Sequence, residues 1–297
     1  MKRRALLHSV AVIGASSLIA PDQTDASADE SVPTDETDWA GSTAITDTNV
    51  HLFHWPCRRL PLDETARLVA KLQSLGVESA WAGSFEGLLH RDIKGVNQRL
   101  FDACSQHALL EPMGTINPRA DGWQRDLKRC RNDFKMRGIR VYPNYHQFQL
   151  ADDCFVSLLR AAAKMRLLVQ IAVALEDVRT QHPLLQVPDV DLTALPEVAS
   201  SIPDAQIQLL NHRLSSSQLK RFQSVKNIRF DTARVDQTDG VATLTKAVGS
   251  DRVLFGSHSP FLIPEAALIR VAEANLSEPD LVAVLSKNAS RFAEARV

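Results

Sequence analysis

The sequence predicts a (β/α)8 TIM-type barrel with an extra C-terminal helix. Three observations carry that prediction. From about residue 43 to the end, short apolar runs and amphipathic segments alternate without a break, eight of each. Parallel strands need helical crossovers, and eight such units can close into a ring. No Gly-rich phosphate loop follows the first apolar run, which argues against an open doubly wound sheet. Finally, His51, His54, His90, His146, His182, His212 and His258 all fall at strand ends or in the loops after them, the rim where such barrels carry their chemistry.

The elements follow in order. "AITDTNVHL" reads as strand one. "DETARLVAKLQSLG" is its helix, with Asp63 as N-cap, Leu68, Leu72 and Leu75 on one face, and Gly76 as the stop. "VESAWAGS" and "RDIKGVNQRLFDACSQH" form the second unit, and His107 at the end of that helix lies on the opposite rim. "LLEPMGTIN" is followed by "DGWQRDLKRCRNDFKM", again opened by an aspartate. "GIRVYPN" and "DDCFVSLLRAAAKMR" make the fourth unit. "LLVQIAVAL" is apolar almost throughout, as suits a strand buried on both faces. A long loop and the short helix "LTALPEVASSI" follow it. "AQIQLLNH" precedes "SSSQLKRFQSV", a helix with a serine N-cap. "NIRFDTA" with "DGVATLTKAVG" and "RVLFGSH" with "IPEAALIRVAEAN" complete the eight units. A last helix from about Glu278 to Ala295 closes the chain.

The first residues differ from the rest. "MKRRALLHSVAVIGASSLIA" has a basic tip, the Arg3-Arg4 pair and a short apolar run, and "ASA" at Ala26–Ala28 offers a cleavage site. Residues 1–28 therefore read as a signal peptide of twin-arginine type, and the expected location is exported, periplasmic or extracytoplasmic. Residues 29–42 are acidic and poor in apolar groups, as expected of a solvated linker. The barrel domain is expected from residue 43 to residue 297. Lys and Arg number 34 against 35 Asp and Glu, so nothing electrostatic points to nucleic acid. No membrane span is expected in the mature chain, and a homodimer through the helices is an expectation of the neutral surface. The four cysteines, Cys57, Cys104, Cys130 and Cys154, have no CxxC spacing, so a thiolate metal site is not expected.

The polar residues near strand ends are the candidates for a small-molecule site: Asn49, His51, Trp81, Asn144, His146, Glu176, Asn211 and His258, together with Asp177 and Asp231. "ALEDVRTQHP" adds Arg179 and His182 close to Glu176. A carboxylate and imidazole there would supply a general acid or base, and Arg179 would hold a substrate carboxylate bidentately. The bland readings are an ion-pair network in that loop, a capping role for Asp231, and a neighbouring carboxylate as partner for Arg140.

"RVLFGSHSP", "KNASRF" and "GIRVYP" carry a resemblance across the whole barrel. They resemble the amidohydrolase superfamily, in the amidohydrolase-related group whose members include decarboxylases similar to aminocarboxymuconate-semialdehyde decarboxylase. The resemblance implies a His-x-His pair on strand one, where Asn49 and His51 stand. It implies a histidine on strand five, where Gln170 and Ala172 stand. It implies another at the end of strand six, where Asn211 or His212 stands, and an aspartate on strand eight, where His258 stands. Metal ligands are thus expected at His51 and His258, with His212 or Glu176 as weaker candidates, zinc as the divalent candidate and an incomplete ligand set.

The expected function is hydrolysis or decarboxylation of a small carboxylate-bearing compound. His258, His51 and Glu176 are the catalytic candidates, with a reduced or absent metal site. Asn49, His146, Asn144, Arg179, His182, Asn211 and Trp81 are the substrate-binding candidates. Two alternatives stand beside this: an exported, non-catalytic small-molecule-binding protein on the same barrel, and a conventional metal-dependent hydrolase with an unusual ligand set.

Overall fold

A computed structural model describes residues 44–294. The signal-peptide and linker expectations for residues 1–28 and 29–42 lie outside the described residues. Eight parallel strands form one sheet in sequential order: β1 (Ile45–Leu52), β2 (Val77–Ser84), β3 (Leu110–Thr115), β4 (Gly138–Val141), β5 (Leu168–Ala172), β6 (Gln206–Leu210), β7 (Ile228–Asp231) and β8 (Val253–Leu254). The ring closes where the chain beyond β8 returns to β1. Thr48 N donates to Phe255 O at 2.9 Å, His51 N donates to Ser259 O at 2.9 Å, and Val50 pairs with Ser259 in parallel. The architecture is the (β/α)8 barrel that the alternation predicts.

Helices α1 (Thr65–Ser74), α2 (Ile93–Ser105), α3 (Trp123–Asn132), α4 (Asp153–Lys164), α5 (Leu195–Ser200), α6 (Ser216–Lys220), α7 (Gly240–Val248) and α8 (Pro264–Ala272) connect successive strands or follow the last. Their apolar faces pack on the outside of the ring, where Leu68, Leu72, Leu100, Leu127, Phe155 and Val271 join one large cluster with the strand residues. After α8 come α9 (Glu278–Val282), a π-helical turn (Ala283–Lys287) and α10 (Asn288–Glu294). Among the described residues no helix is long and apolar enough to cross a membrane.

The interior of the ring is layered. At the bottom lie Trp81, Met113, Leu168 and Leu254, with Ala289 of α10 as a plug beneath them. Asn288 holds α10 there by donating to Ser250 O at 2.7 Å and Val253 O at 2.8 Å. Gly138 at the start of β4 leaves the room this layer needs. A Cβ there would stand 2.5 Å from Leu168 O and 2.6 Å from Met113 Cε.

The middle layer is polar. Arg140, Gln170 and Gln208 are register partners on β4, β5 and β6, so all three side chains point inward. Gln170 donates to Gln208 Oε1 and to Thr48 O, each at 2.8 Å, and Gln208 donates to Thr48 Oγ1 at 2.7 Å. Thr48 reaches this layer because β1 slips register between Asp47 and Val50. Such a bulge lets neighbouring residues both find partners inside the ring.

Several local expectations are corrected. Asp63 does not cap α1; Glu64 occupies the N-cap, while the Asp63 carboxylate accepts from Arg59 and from Leu60 N. Gly122, with φ of +79°, rather than Asp121, opens α3. Helix α6 ends at Lys220, not Val225. Its serine cap is present, a reciprocal Ser215–Gln218 box. The carbonyls of Phe222, Val225 and Ile228 then accept from the buried Arg252 guanidinium instead of continuing a helical ladder.

Candidate functional site

The upper layer of the ring, at the C-terminal ends of the strands, brings together Asn49, His51, Asn211, Asp231 and His258. Asn211 directly follows β6 and His258 follows β8, both with φ of +58°. That left-handed backbone is strained for non-glycine residues and persists only where the surroundings enforce it. At Asn211 the enforcement is plain. Its N–H donates to the Asp231 carboxylate at 3.0 Å, and its Nδ2 donates to Ala174 O at 2.8 Å. Asn49 Nδ2 donates to Asn211 Oδ1 at 2.8 Å and to Asp231 Oδ2 at 2.7 Å. Burial pushes the Asp231 carboxyl up to about 7, against the pull of the Asn49 and Asn211 donors. Burial also pushes Asp47 up to about 6, although Ser257 N donates to it at 2.9 Å.

Arg140 lies at the centre. It is fully buried, and no carboxylate among the described residues forms an ion pair with it, contrary to the expectation of a carboxylate partner. Its Nε donates to Gln170 Oε1 at 2.9 Å and its Nη2 to Trp81 O at 3.2 Å. Its Nη1 donates to Val50 O at 2.8 Å and to His51 Nε2 at 3.0 Å. Arginine is donor only, so His51 Nε2 must accept, and the ring proton sits on Nδ1. Burial, and the Arg140 charge after it, hold His51 well below the ordinary imidazole range. Its ring stacks on Phe85 with centroids 4.7 Å apart.

His258 has the opposite tautomer. Its Nε2–H donates to Leu175 O at 2.7 Å, leaving Nδ1 as the acceptor. Burial pushes this imidazole down to about 3. The His51 and His258 rings meet edge-on with centroids 5.6 Å apart. Both Nδ1 atoms are buried without a hydrogen-bond partner among the described residues. One is a donor and the other an acceptor.

His258 and Glu176 open onto a cleft of about 480 Å³ bordered by Arg58, Phe261 and Arg270. Glu176 follows β5 and accepts from Arg58 Nη2 at 2.7 Å. The other sequence-derived candidates are not brought to this cluster. Trp81 lies in the bottom layer with Arg137 over its ring. Asn144 donates to Pro188 O at 2.6 Å and His146 to Gly87 O at 2.9 Å, so both tie loops together. Arg179 is 84% exposed and paired with Asp177. His182 is exposed, and its Nδ1 accepts from Leu184 N.

No group of three or more His, Cys, Asp or Glu side chains able to hold a divalent ion occurs among the described residues. His51 Nε2 is taken by a guanidinium, and His258 Nε2 carries a proton. The family model described as amidohydrolase matches residues 56–292.

The chain belongs to the amidohydrolase family.

Solved amidohydrolase-like barrels show the same fold at low identity. Three relatives illustrate it. The 5-carboxyvanillate decarboxylase from Sphingomonas paucimobilis is 14% identical and superposes with a TM-score of 0.65, over 84% of this chain and 99% of its own. The 2,6-dihydroxybenzoate decarboxylase from Rhizobium is 15% identical, with a TM-score of 0.63 over 86% and 99%. A dihydroxybenzoic acid decarboxylase from Polaromonas sp. JS666, solved with manganese and 2-nitroresorcinol, is 13% identical, with a TM-score of 0.66 over 86% and 98%. No curated protein matches the sequence.

Sequence reasoning missed the central role of Arg140 and the contributions of Asp47 and Gln208; Asp231 was among its strand-end candidates, with a capping role as the alternative. A signal was present. "GIRVY" and "LLVQIAV" each place one charged or amide side chain inside an apolar run, and "QIQLL" places two amides; buried polar groups require partners.

Gly83 supports the same cluster from β2. A Cβ there would lie 2.7 Å from Arg140 Nη1 and 2.9 Å from Cζ. Four hydrogen bonds fix that guanidinium, so it cannot yield cheaply. Gly83→Ala is expected to destabilise the fold by about 1–3 kcal/mol, as overpacking does. Urea unfolding of the two proteins measures it, and an unchanged midpoint would show that Arg140 is mobile.

Proposed function

We propose that this chain is an enzyme of the amidohydrolase family that acts on a small carboxylate-bearing compound, by hydrolysis or decarboxylation, using its own side chains in place of a metal ion. One observation carries the reading: Arg140 donates to His51 Nε2, so a fixed internal cation occupies the nitrogen that a ligand bond would need. The resemblance to decarboxylases of benzoate-type acids supports a carboxylate substrate.

In this reading the substrate enters the cleft over Glu176 and His258. Its reacting group lies against His258, with Glu176 beside it and His51 behind it. His258 with a pKa near 3 is a weak base alone. A bound carboxylate beside it favours the protonated imidazole and raises that value toward a working range. Asn49 and Asn211 keep Asp231 in place, and Arg140 stabilises negative charge developing nearby. Export of the mature enzyme is part of the proposal.

Metal analysis of purified protein combined with a turnover screen over small esters, lactones and aromatic acids tests it. His258→Ala and Glu176→Gln are expected to lower turnover by on the order of 10²-fold or more without moving metal content. Stoichiometric zinc or manganese required for activity would overturn the metal-free mechanism. A second reading, a non-catalytic binding protein, is favoured by the low basicity of both imidazoles; binding of acids without turnover would establish it.

A further inference from the structure

The cleft at His258 is lined by four guanidiniums, Arg58, Arg213, Arg234 and Arg270, and by three carboxylates, Glu176, Asp177 and Asp236. Two further charges reach this wall and cancel each other: Arg179 pairs with Asp177, and Asp189 acts on Arg234. One cation is left over.

The surplus gathers at Asp177, which faces three guanidiniums. It accepts from Arg179 at 2.9 and 3.0 Å, lies 3.4 Å from both terminal nitrogens of Arg213 and is 3.9 Å from Arg234 Nη2. Arg213 and Arg234 stand close enough to repel. Burial depresses Arg234, and the Arg213 charge depresses it further. An added anion would relieve that repulsion.

The four guanidiniums differ in what they can still offer. Arg58 donates to Glu176 at 2.7 Å and lies over the Phe261 ring. Arg270 donates to Ala233 O at 2.9 Å and pairs with Asp236 at 3.0 Å. Arg234 is buried, its side chain only 6% exposed. The Arg213 side chain is 45% exposed. Both of its terminal nitrogens point to Asp177, itself on the cleft wall, which places the guanidinium there. Those two bonds share one oxygen and are longer than the usual range of about 2.7–3.2 Å. No other hydrogen bond engages its five N–H groups among the described residues.

An accessible guanidinium with unspent donors suits a carboxylate. Leu175, Phe261, Leu262 and Ala266 on the same cleft suit an apolar or aromatic body. Resting on the reading of a carboxylate-bearing substrate, we propose that Arg213 is the residue that holds that carboxylate, the part expected of Arg179, and that the substrate is an apolar monocarboxylic acid. One surplus charge is neutralised by one carboxylate, so a second acid group gains nothing here.

Isothermal titration of the full chain with benzoate, phenylacetate and 3-phenylpropanoate, each against its carboxamide, tests the proposal. At least one acid is expected to bind on the order of tenfold more tightly than its amide. Benzene-1,3-dicarboxylate should bind no better than benzoate. Arg213→Met should weaken the acid by about tenfold and leave acid and amide equal. Arg213→Lys should keep part of the preference. Asp177→Asn can still accept from Arg179 N through its amide oxygen but no longer competes for Arg213. It should tighten acid binding by about two- to fivefold, the scale of an exposed ion pair. That opposite sign separates ligand binding from general damage, and circular dichroism checks that each variant is folded. An acid preference undiminished in Arg213→Met, weaker acid binding in Asp177→Asn, a tenfold advantage of the diacid, or no binding by any of the three acids would overturn the proposal. Acid binding that depends on Arg213, without turnover in the substrate screen, removes the proposed catalysis alone. Turnover of acids that Arg213→Met leaves unchanged removes this inference alone.

Discussion

Replacing Arg140 by methionine is expected to destabilise the barrel by about 3–5 kcal/mol, the range for removing one partner from a buried charged network. The acceptors it serves are Gln170 Oε1, His51 Nε2, Val50 O and Trp81 O. All lie inside the ring, where water cannot replace the lost donors. Methionine fills much of the volume, so the loss reads hydrogen bonding rather than a cavity. Lysine keeps the charge but lacks the planar fork, and should recover only part of the loss. Denaturant midpoints for the wild type and both variants measure this. Where the methionine variant folds, nuclear magnetic resonance should show His51 titrating closer to its ordinary range, since one of the groups depressing it is gone. A loss under about 1 kcal/mol would mean that the guanidinium is not the centre of the network.

The second large effect is acid sensitivity. His258, His212, His146 and His51 are all held below the usual imidazole value, mainly by burial. The unfolded chain therefore binds protons at these sites at a higher pH than the folded chain does. Stability is fully present above the unfolded value near 6.5 and is lost as pH falls toward the folded values. At pH 5, His258 and His212 together contribute a loss of roughly 4 kcal/mol relative to pH 7.

Asp231 and Asp47 act in the other direction. Their folded values are raised to about 7 and about 6, so their protonation favours the folded state, and that contribution fades as pH rises from about 4 to about 7. Four imidazoles outweigh two carboxyls. The melting temperature should fall from pH 7 to pH 5, and it should fall further in Asp231→Asn, which removes one opposing group. Calorimetry at the two pH values tests this, and a melting temperature that rises on acidification would contradict the neutral assignment of the histidines.

The barrel was readable from the sequence because its units repeat a local pattern. "DETARLVAKLQSLG" shows its inward leucines, and "LLVQIAVAL" shows a strand covered on both faces. Helix ends were less readable. Asp63 has the chemistry of a cap, but Arg59 and Leu60 N claim its oxygens, a contest that residue type alone does not resolve.

The site was legible in outline at Asn49, His51, Asn211 and His258, because strand ends meet at one rim. What makes the cluster distinctive was not legible. Arg140 and His51 are 89 residues apart, and only the closed ring places a guanidinium against the imidazole. Arg179 and His182 misled because nearness in sequence to Glu176 resembled convergence. The loop after β5 instead turns them to solvent, while Asn144 holds the same loop at Pro188.

The seam between β1 and β8 has a consequence for biogenesis. The first stave's partners lie 207 positions downstream, at Phe255, and the plug at Ala289 comes later still. A nascent chain emerging from the ribosome can assemble seven staves and yet present an unpaired edge, with Asp47 and Thr48 still lacking their mates at Ser257 and Phe255. The ring therefore becomes a sealed object only once the segment from Phe255 to Ala289 has emerged, and until then its exposed margin is the natural target of a chaperone.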